Sequence, residues 1–361
     1  MTRRYSSLVG WGHYAPENVV TNADLSEIVD TTDEWIRERS GIERRHFVSP
    51  DQATSDLCLE AGRRALDRAG VAPEDVGLVL VATSSPDYLT PPVSSQVQHG
   101  LGCVNAGAMT LMVGCTGFVY GLVTADQFIQ TGAYKTILLI GAEVISKNLD
   151  MTDRTTCVLF GDGAGAVVLQ ATDRPCGVRS FELGSDGSQA EALIAPCPGT
   201  RNPVNQYAID HRTHYLRMDG RAVFKFATRT MTESLQRVMD KADLGVDDVD
   251  LFIPHQANAR IIEYAAEQLQ LPPEKVVMNV AEYGNTSAAT VPIALSEALD
   301  AGRVEPGDTL AMVGFGAGLT WAACVFDLGP LAVETPDADR DRQSTPESVI
   351  DDRGVVGGLI A

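Results

Sequence analysis

The chain has 361 residues, 44% hydrophobic and 21% charged, which is globular material sufficient for two core-sized units. No apolar run reaches the ~18 residues of a membrane span, and the opening MTRRYSSLVGWG lacks the apolar stretch that follows the basic start of a secretory leader. Acidic residues outnumber basic ones by 48 to 28, and the resulting formal charge of −20 disfavours non-specific binding to nucleic acid or to an anionic membrane.

In chain order, residues 65–79 (ALDRAGVAPEDVGLV) read as the end of an amphipathic helix, a turn and a buried strand. Residues 110–129 (TLMVGCTGFVYGLVTADQFI) read as a strand, a small-residue turn and a long helix, with Cys115 at the junction. KTILLIGAE (135–143) is a further buried strand. FGDGAGA (160–166) is no dinucleotide fingerprint, because its glycines alternate instead of following G-x-G-x-x-G and a strand, AVVLQ, follows where a helix is required. Its glycines are expected to make a tight turn against the site. Residues 184–215, rich in Gly, Ser, Pro and Asn, read as loop and insertion.

The same patterns then return. VMDKADLGVDDVDLF (238–252) matches the first segment, VMNVAEYGNTSAATVPIALSEAL (277–299) the second, and DTLAMVGFG (308–316) the third. Residues 65 and 238 are 173 apart, as are Gly141 and Gly314, while Cys115 and Asn285 are 170 apart. A spacing this long is not a solenoid period, and three matches at nearly one offset describe a duplicated α/β half. The alternative, two unrelated halves that look alike because buried strands do, stays open. We expect an N-terminal half over 1–172, a C-terminal half over 173–328, mainly parallel sheets covered by helices, and a disordered polar tail over 329–361.

Functional residues in such folds collect where strands end and helices begin. Cys115 follows a strand and opens a helix, where free N–H groups favour a thiolate and lower its pKa toward the ~3.5–7.5 range. Gly114 and Gly117 leave room beside the sulfur. The competing reading, a small buried core cysteine, suits Cys58, Cys157 and Cys324. The seven cysteines form no CxxC pair, which argues against a disulfide framework or zinc and for a reduced, cytosolic protein. His255 ends the strand DLFIP, a place from which an imidazole can donate into a cleft, although a satisfied structural histidine fits as well. The other histidines (13, 46, 99, 211, 214) are expected in loops or on exposed faces. Asn285, in YGNTSAAT, offers two N–H donors at any pH, and a turn or N-cap asparagine is the simpler reading. Ala317, between Gly316 and Gly318, is suited to aiming a backbone N–H at an oxyanion.

VGCTGFVYGL, FGDGAGA, PHQANARII, YGNTSAAT and GFGAGLTW, in that order, together with VDTTDEWIRERSGIERR (29–45), resemble the beta-ketoacyl-acyl-carrier-protein synthase III family from about residue 5 to 328. The resemblance implies the thiolase fold, two α/β halves in five αβαβα layers. It implies decarboxylative condensation of an acyl-CoA primer with malonyl-acyl carrier protein, which begins fatty acid synthesis. Cys115 would be the nucleophile, with His255 and Asn285 as donors to the enolate oxygen and the backbone N–H groups of Cys115 and Ala317 as the oxyanion pair. Trp35 and Arg154 would flank the CoA adenine. Thr31, Gly220, Phe224 and Asn258 would line the pantetheine channel, and Arg39 would contact CoA. Gln256, Ala257, Asn258, Ala259 and Arg260 would meet the carrier protein, with Arg39, Lys225 and Arg260 as a basic rim. No metal or redox cofactor is implied, and a homodimer is. The chain departs from the family pattern at Ala317, often glycine, and at Thr90, often a bulky aromatic that closes the acyl pocket across the dimer. Two other readings remain: a related acyltransferase of secondary metabolism, and a non-catalytic partner subunit, which would have lost its nucleophile.

Overall fold

The structure, a computed structural model, describes residues 4–331. The tail expected over 329–361 lies outside the described residues from 332 onward.

Runs in which nearly every residue is apolar form strands covered on both faces. β1 (Tyr5–Tyr14) is followed by a short antiparallel pair, β2 (Asn18–Thr21) and β3 (Arg44–Phe47), with α1 (Asn22–Ser26) and α2 (Asp33–Ser40) between them. Then come α3 (Thr54–Ala69), β4 (Leu78–Ala82), α4 (Val93–Gly100), β5 (Gly107–Leu111), α5 (Gly117–Gln130), β6 (Thr136–Glu143) and β7 (Gly163–Thr172). β8 (Gly177–Ser185) opens the rest, followed by β9 (Leu193–Ile194), α6 (Gln206–Asp210) and β10 (Arg217–Met218). The chain continues through α7 (Gly220–Lys241), β11 (Leu251–Pro254), α8 (Ala259–Leu269), α9 (Val280–Tyr283), α10 (Thr290–Asp300), β12 (Thr309–Gly316) and β13 (Thr320–Asp327).

The first sheet runs β1-β7-β6-β4-β5 and the second, in the same sense, β8-β13-β12-β11. A parallel bridge from Phe252 to Val276 stands where β5 stands in the first. β4 and β11 begin at 78 and 251, α5 and α10 at 117 and 290, β6 and β12 at 136 and 309, so the offset of 173 seen in the sequence is structural. The sheets are mixed, however, where mainly parallel ones were expected. β4–β5, β4–β6 and β11–β12 are parallel, whereas β1–β7, β6–β7, β12–β13 and β8–β13 are antiparallel. For β12–β13 the physical reason is the connection: residues 317–319 join the two strands with no helix between, and so short a link permits only antiparallel pairing. The 184–215 segment also holds more than loop, since β9 pairs with β10 across α6. His13 and His46, expected in loops or on exposed faces, lie half-buried in β1 and β3.

The period-two alternation of side chains sorts each central strand between two cores. Leu78, Leu80, Ile137 and Leu139 face an inner core shared with Leu310, Met312, Cys324 and Phe326 of the second sheet. Val79, Val81, Leu138 and Ile140 face α3 and α4 on the outside, and Ala311, Val313, Ala323 and Val325 face α7 and α8. Because α5 and α10 fill the inner core, the order is helices, sheet, helices, sheet, helices.

Glycine lets the start of α10 sit against the first sheet. A Cβ added at Gly141 would lie 2.3 Å from the Ala288 carbonyl oxygen. Gly141→Ala should therefore cost about 1–3 kcal/mol in urea denaturation, as overpacking does. A change below about 0.5 kcal/mol, the ordinary surface range, would mean that this approach is not tight.

Candidate active site

Cys115 sits in a 3-10 turn, Gly114–Thr116, between β5 and α5. Gly114 has φ +60, a conformation that glycine adopts without steric cost. The β12–β13 connection closes over this turn. A Cβ on Gly316 would lie 2.7 Å from the Cys115 nitrogen, and one on Gly114 would lie 3.1 Å from the Ala317 nitrogen. The two backbone N–H groups singled out in the sequence, at Cys115 and Ala317, thus belong to touching loops.

His255 follows β11 and is 1% exposed. Its N–H bonds the Val313 carbonyl at 2.8 Å, its Nδ1 lies 2.7 Å from the Thr290 hydroxyl, and Phe315 meets its ring edge-on at 5.0 Å. Burial drives its pKa down to about 3, so the imidazole is neutral near pH 7. Asn285 is gripped through its backbone at the start of the FGDGAGA run: its backbone N–H bonds the carbonyl of Leu159, the residue before the run, at 2.8 Å, and its carbonyl accepts from Gly161 at 3.1 Å. Its Oδ1 accepts the Ser287 N–H at 2.8 Å, which leaves the two Nδ2 hydrogens for another acceptor.

Cys115, His255 and Asn285 converge on one inner cavity of ≈ 600 Å³, otherwise walled mainly by apolar residues such as Leu193, Phe226 and Phe315. Met218, Gly220, Phe224 and Asn258 also line an outer cavity of ≈ 1500 Å³, so the two form one passage. Arg39, Arg154, Arg221, Lys225 and Arg260 stand around the outer part, a cationic mouth on a chain of net charge −20.

One expectation is reversed. Burial pushes the Cys115 thiol up to about 12, against a smaller pull the other way from the Ser287 hydroxyl. The site withdraws the sulfur from water, and this desolvation outweighs the advantage of a helix start. Two of the residues expected at the carrier-protein surface are also out of reach. Gln256 is 1% exposed, with its amide spent on the Pro254 and Val277 carbonyls and the Asn279 N–H, and Ala259 is buried under Gly41. Ala257 lines the inner cavity instead. Asn258 caps α8 and holds the Arg39 carbonyl, and Arg260 is exposed, with its guanidinium over Phe224.

Trp35 and Arg154 do come together, the guanidinium carbon 5.3 Å from the ring centroid. A base stacked between them would need about 7 Å, two ordinary contact distances, more than the pair leaves. Thr31 lines neither cavity, and its buried hydroxyl has no hydrogen-bond partner. Thr90 is exposed beside Tyr88 and Leu89 and lies outside both cavities. Sequence reasoning passed over four residues that hold the site: Ser287, Thr290, Phe315 and Glu143. Ser287 and Thr290 belong to the YGNTSAAT motif, whereas Glu143 carried no signal beyond ending a strand.

Comparison with known proteins identifies the family. The family model for 3-oxoacyl-[acyl-carrier-protein (ACP)] synthase III matches residues 109–187, and that for its C-terminal part matches 239–328. A beta-ketoacyl-[acyl-carrier-protein] synthase III of Desulfitobacterium hafniense is 48% identical over 318 residues, 88% of this chain and 96% of the relative. That of Geobacillus kaustophilus is 49% identical over 324 residues, 90% and 99%. The crystal structure of the Thermus thermophilus synthase III superimposes with a TM-score of 0.84 at 44% identity, covering 90% of this chain and 99% of that one. The priming beta-ketosynthase of the R1128 polyketide pathway is more distant, with a TM-score of 0.84 at 35% identity, over 91% of this chain and 97% of that one. With the thiolase fold shared and nearly half of the residues identical along almost the whole described chain, this protein belongs to the beta-ketoacyl-[acyl-carrier-protein] synthase III family.

Proposed function

We propose that the chain condenses an acyl-CoA primer with malonyl-acyl carrier protein, releasing CO₂ and CoA, to give a 3-oxoacyl-acyl carrier protein at the start of fatty acid synthesis. The observation that carries this reading is the convergence of Cys115, His255 and Asn285 at the apolar end of a passage whose mouth is cationic. Identity of 48–49% to the synthase III relatives, against 35% to the polyketide priming enzyme, favours fatty acid priming over secondary metabolism.

The Cys115 sulfur attacks the thioester, the N–H groups of Cys115 and Ala317 hold the tetrahedral oxyanion, and CoA leaves. The malonyl thioester then loses CO₂, and its enolate oxygen is held by His255 and Asn285. A neutral imidazole has one hydrogen. The enolate is served by the tautomer with that hydrogen on Nε2, in which the Thr290 hydroxyl turns from the Ser287 carbonyl to donate to Nδ1. The carbanion attacks the acyl-Cys115 ester, and every step uses the chain's own donors without a metal or redox group. Trp35 and Arg154 suit the CoA adenine, and Arg39, Lys225 and Arg260 suit the CoA phosphates and an acidic carrier protein. The seven cysteines, all free and buried, fit a reducing cytoplasm, and among the described residues no helix is long and apolar enough to cross a membrane.

A primer panel with malonyl-acyl carrier protein, read by product mass, tests the whole reading, and the absence of any 3-oxoacyl product would overturn it. Cys115→Ala should give no acyl-enzyme by intact mass. His255→Ala and Asn285→Ala should acylate but condense about 10²–10³-fold more slowly, the usual loss for one oxyanion donor. Normal condensation in both would remove the enolate assignment.

The depressed His255 pKa carries its own test. The unfolded chain binds this proton near the ordinary 6.5 and the folded chain only near 3, so between those values the unfolded state holds more protons and stability rises with pH. That contribution is complete above pH 6.5 and is lost as pH falls toward 3. NMR should show an imidazole that stays neutral from about pH 8 to about pH 5, and titration near the free value would refute the neutral donor.

Thr90 is proposed to cap the acyl tunnel of a dimer mate, a role its exposed loop allows. Thr90→Phe should then lower turnover of long or branched acyl-CoAs at least about tenfold relative to acetyl-CoA. Equal effects on both would show that residue 90 does not gate the tunnel.

A further inference from the structure

The chain between His255 and Asn285 is tied down by a side chain that plays no part in the condensation scheme. The two residues are 30 positions apart, and the segment joining them ends in α9, a single helical turn with Asn279 at its N-cap. One turn is too short to hold itself rigid. Both of its ends are fastened to Glu297, a half-buried residue of α10. The Tyr283 hydroxyl donates to Glu297 Oε1 at 2.6 Å, and the Asn279 side-chain amide donates to Oε2 at 2.7 Å. Burial and the neighbouring carboxylate both push the Tyr283 pKa up, which keeps its hydroxyl a donor.

Each fastening continues to one member of the site. From Asn279, the backbone N–H bonds Gln256 Oε1 at 2.9 Å, while Gln256 Nε2 donates to the carbonyls of Pro254 at 2.9 Å and Val277 at 3.0 Å. His255 therefore lies between two residues that this one amide fixes. From Tyr283, whose ring stacks on His46 at 5.4 Å, the chain passes through Gly284 at φ +63 directly to Asn285. The backbone bonds of Asn285 to Leu159 and Gly161 tie it to the first half of the chain, and the Glu297 bonds set it against His255. The same helix also meets His255 itself, with Thr290 Oγ1 2.7 Å from Nδ1. Thr290 and Glu297 are seven residues apart, two turns along one face of α10.

We propose that Glu297 is a positioning residue for decarboxylation, acting through Asn279 and Tyr283 to keep His255 and Asn285 aimed at one enolate oxygen. This rests on the reading of those two residues as the enolate donors. Glu297 lines neither cavity, so it touches no substrate. Its effect comes from fixing donors before the charge develops, which is what makes such donors effective. Misplacing a reacting group by about 1 Å can cost about 10²-fold in rate. The oxyanion pair for acylation, the N–H groups of Cys115 and Ala317, stands on other loops, and neither Glu297 oxygen bonds to them. Loss of Glu297 therefore bears on decarboxylation and spares acylation.

The test compares the two half-reactions in the full chain: acyl-enzyme formed from acetyl-CoA, read by rapid-quench intact mass, and CO₂ released from malonyl-acyl carrier protein. Glu297→Leu, which removes both acceptors, should decarboxylate at least about tenfold more slowly while acylating within about threefold of the parent. The loss should fall on kcat with KM nearly unchanged, because no substrate contact is removed. Glu297→Gln should return to within about threefold of the parent, since its amide oxygen accepts from Asn279 while its Nε2 donates to the Tyr283 oxygen. A smaller loss in Glu297→Leu would overturn the proposal, and so would a loss confined to KM. Equal loss of both half-reactions, or no recovery in Glu297→Gln, would mark a merely structural carboxylate and overturn it too. Should Glu297→Leu fail to fold, Tyr283→Phe decides: it keeps the ring on His46, and a selective decarboxylation loss of at least about threefold is expected. No such loss would overturn the proposal. His255→Ala and Asn285→Ala run alongside. Normal decarboxylation in both would remove the enolate assignment and this role with it, whereas impairment in both beside a normal Glu297→Leu would overturn this role alone.

Discussion

Two backbone hydrogen bonds, from Asn285 N–H to the Leu159 carbonyl and from Gly161 N–H to the Asn285 carbonyl, tie the two halves of the chain together beside the nucleophile. They are buried, and a polar backbone group left unpaired there would cost about 1–3 kcal/mol. Around them the loops can approach only because glycine stands at the contacts: Gly161 against the Tyr283 carbonyl, Gly141 against that of Ala288, and Gly316 against the Cys115 nitrogen. The strand-to-helix turn that carries Cys115 and the motif that carries Asn285 are equivalent places in the two repeats. Duplication, followed by packing of α5 beside α10, therefore brings different chemistry to one point.

The dryness that this packing creates governs the electrostatics. It leaves Cys115 a thiol, His255 a neutral imidazole and Glu143 a carboxyl that resists ionisation. Each shift disfavours a charged resting state, and the negative charge of the proposed reaction appears only in transient oxyanion and enolate species. Neutral donors already in place stabilise such charge without reorganising. Charge on the protein is instead concentrated at the mouth, where Arg39, Arg154, Arg221, Lys225 and Arg260 stand in solvent. There a phosphate can be met without the cost of burying an ion.

The sequence by itself determined the duplication and the strand-to-helix junctions, and it singled out Cys115, His255 and Asn285 as one set only through the family resemblance. The duplication and the junctions are written locally: alternation and apolar runs specify strands, glycines mark turns, and a repeat survives as a constant spacing. What only the tertiary structure decided is whatever depends on neighbours far along the chain. The antiparallel β12–β13 pairing follows from a connection too short to hold a helix. Gln256 lies in a motif expected to face a partner, yet its amide is spent on Pro254, Val277 and Asn279. The Cys115 titration is set by burial beneath the β12–β13 connection, about 200 residues away, rather than by the helix it precedes. Glu143 could not be distinguished from any strand-end glutamate until the fold carried Ser287 to within 3.0 Å of it. Desolvation and hydrogen bonding act over a few ångströms, and no local pattern records which distant residue will supply them.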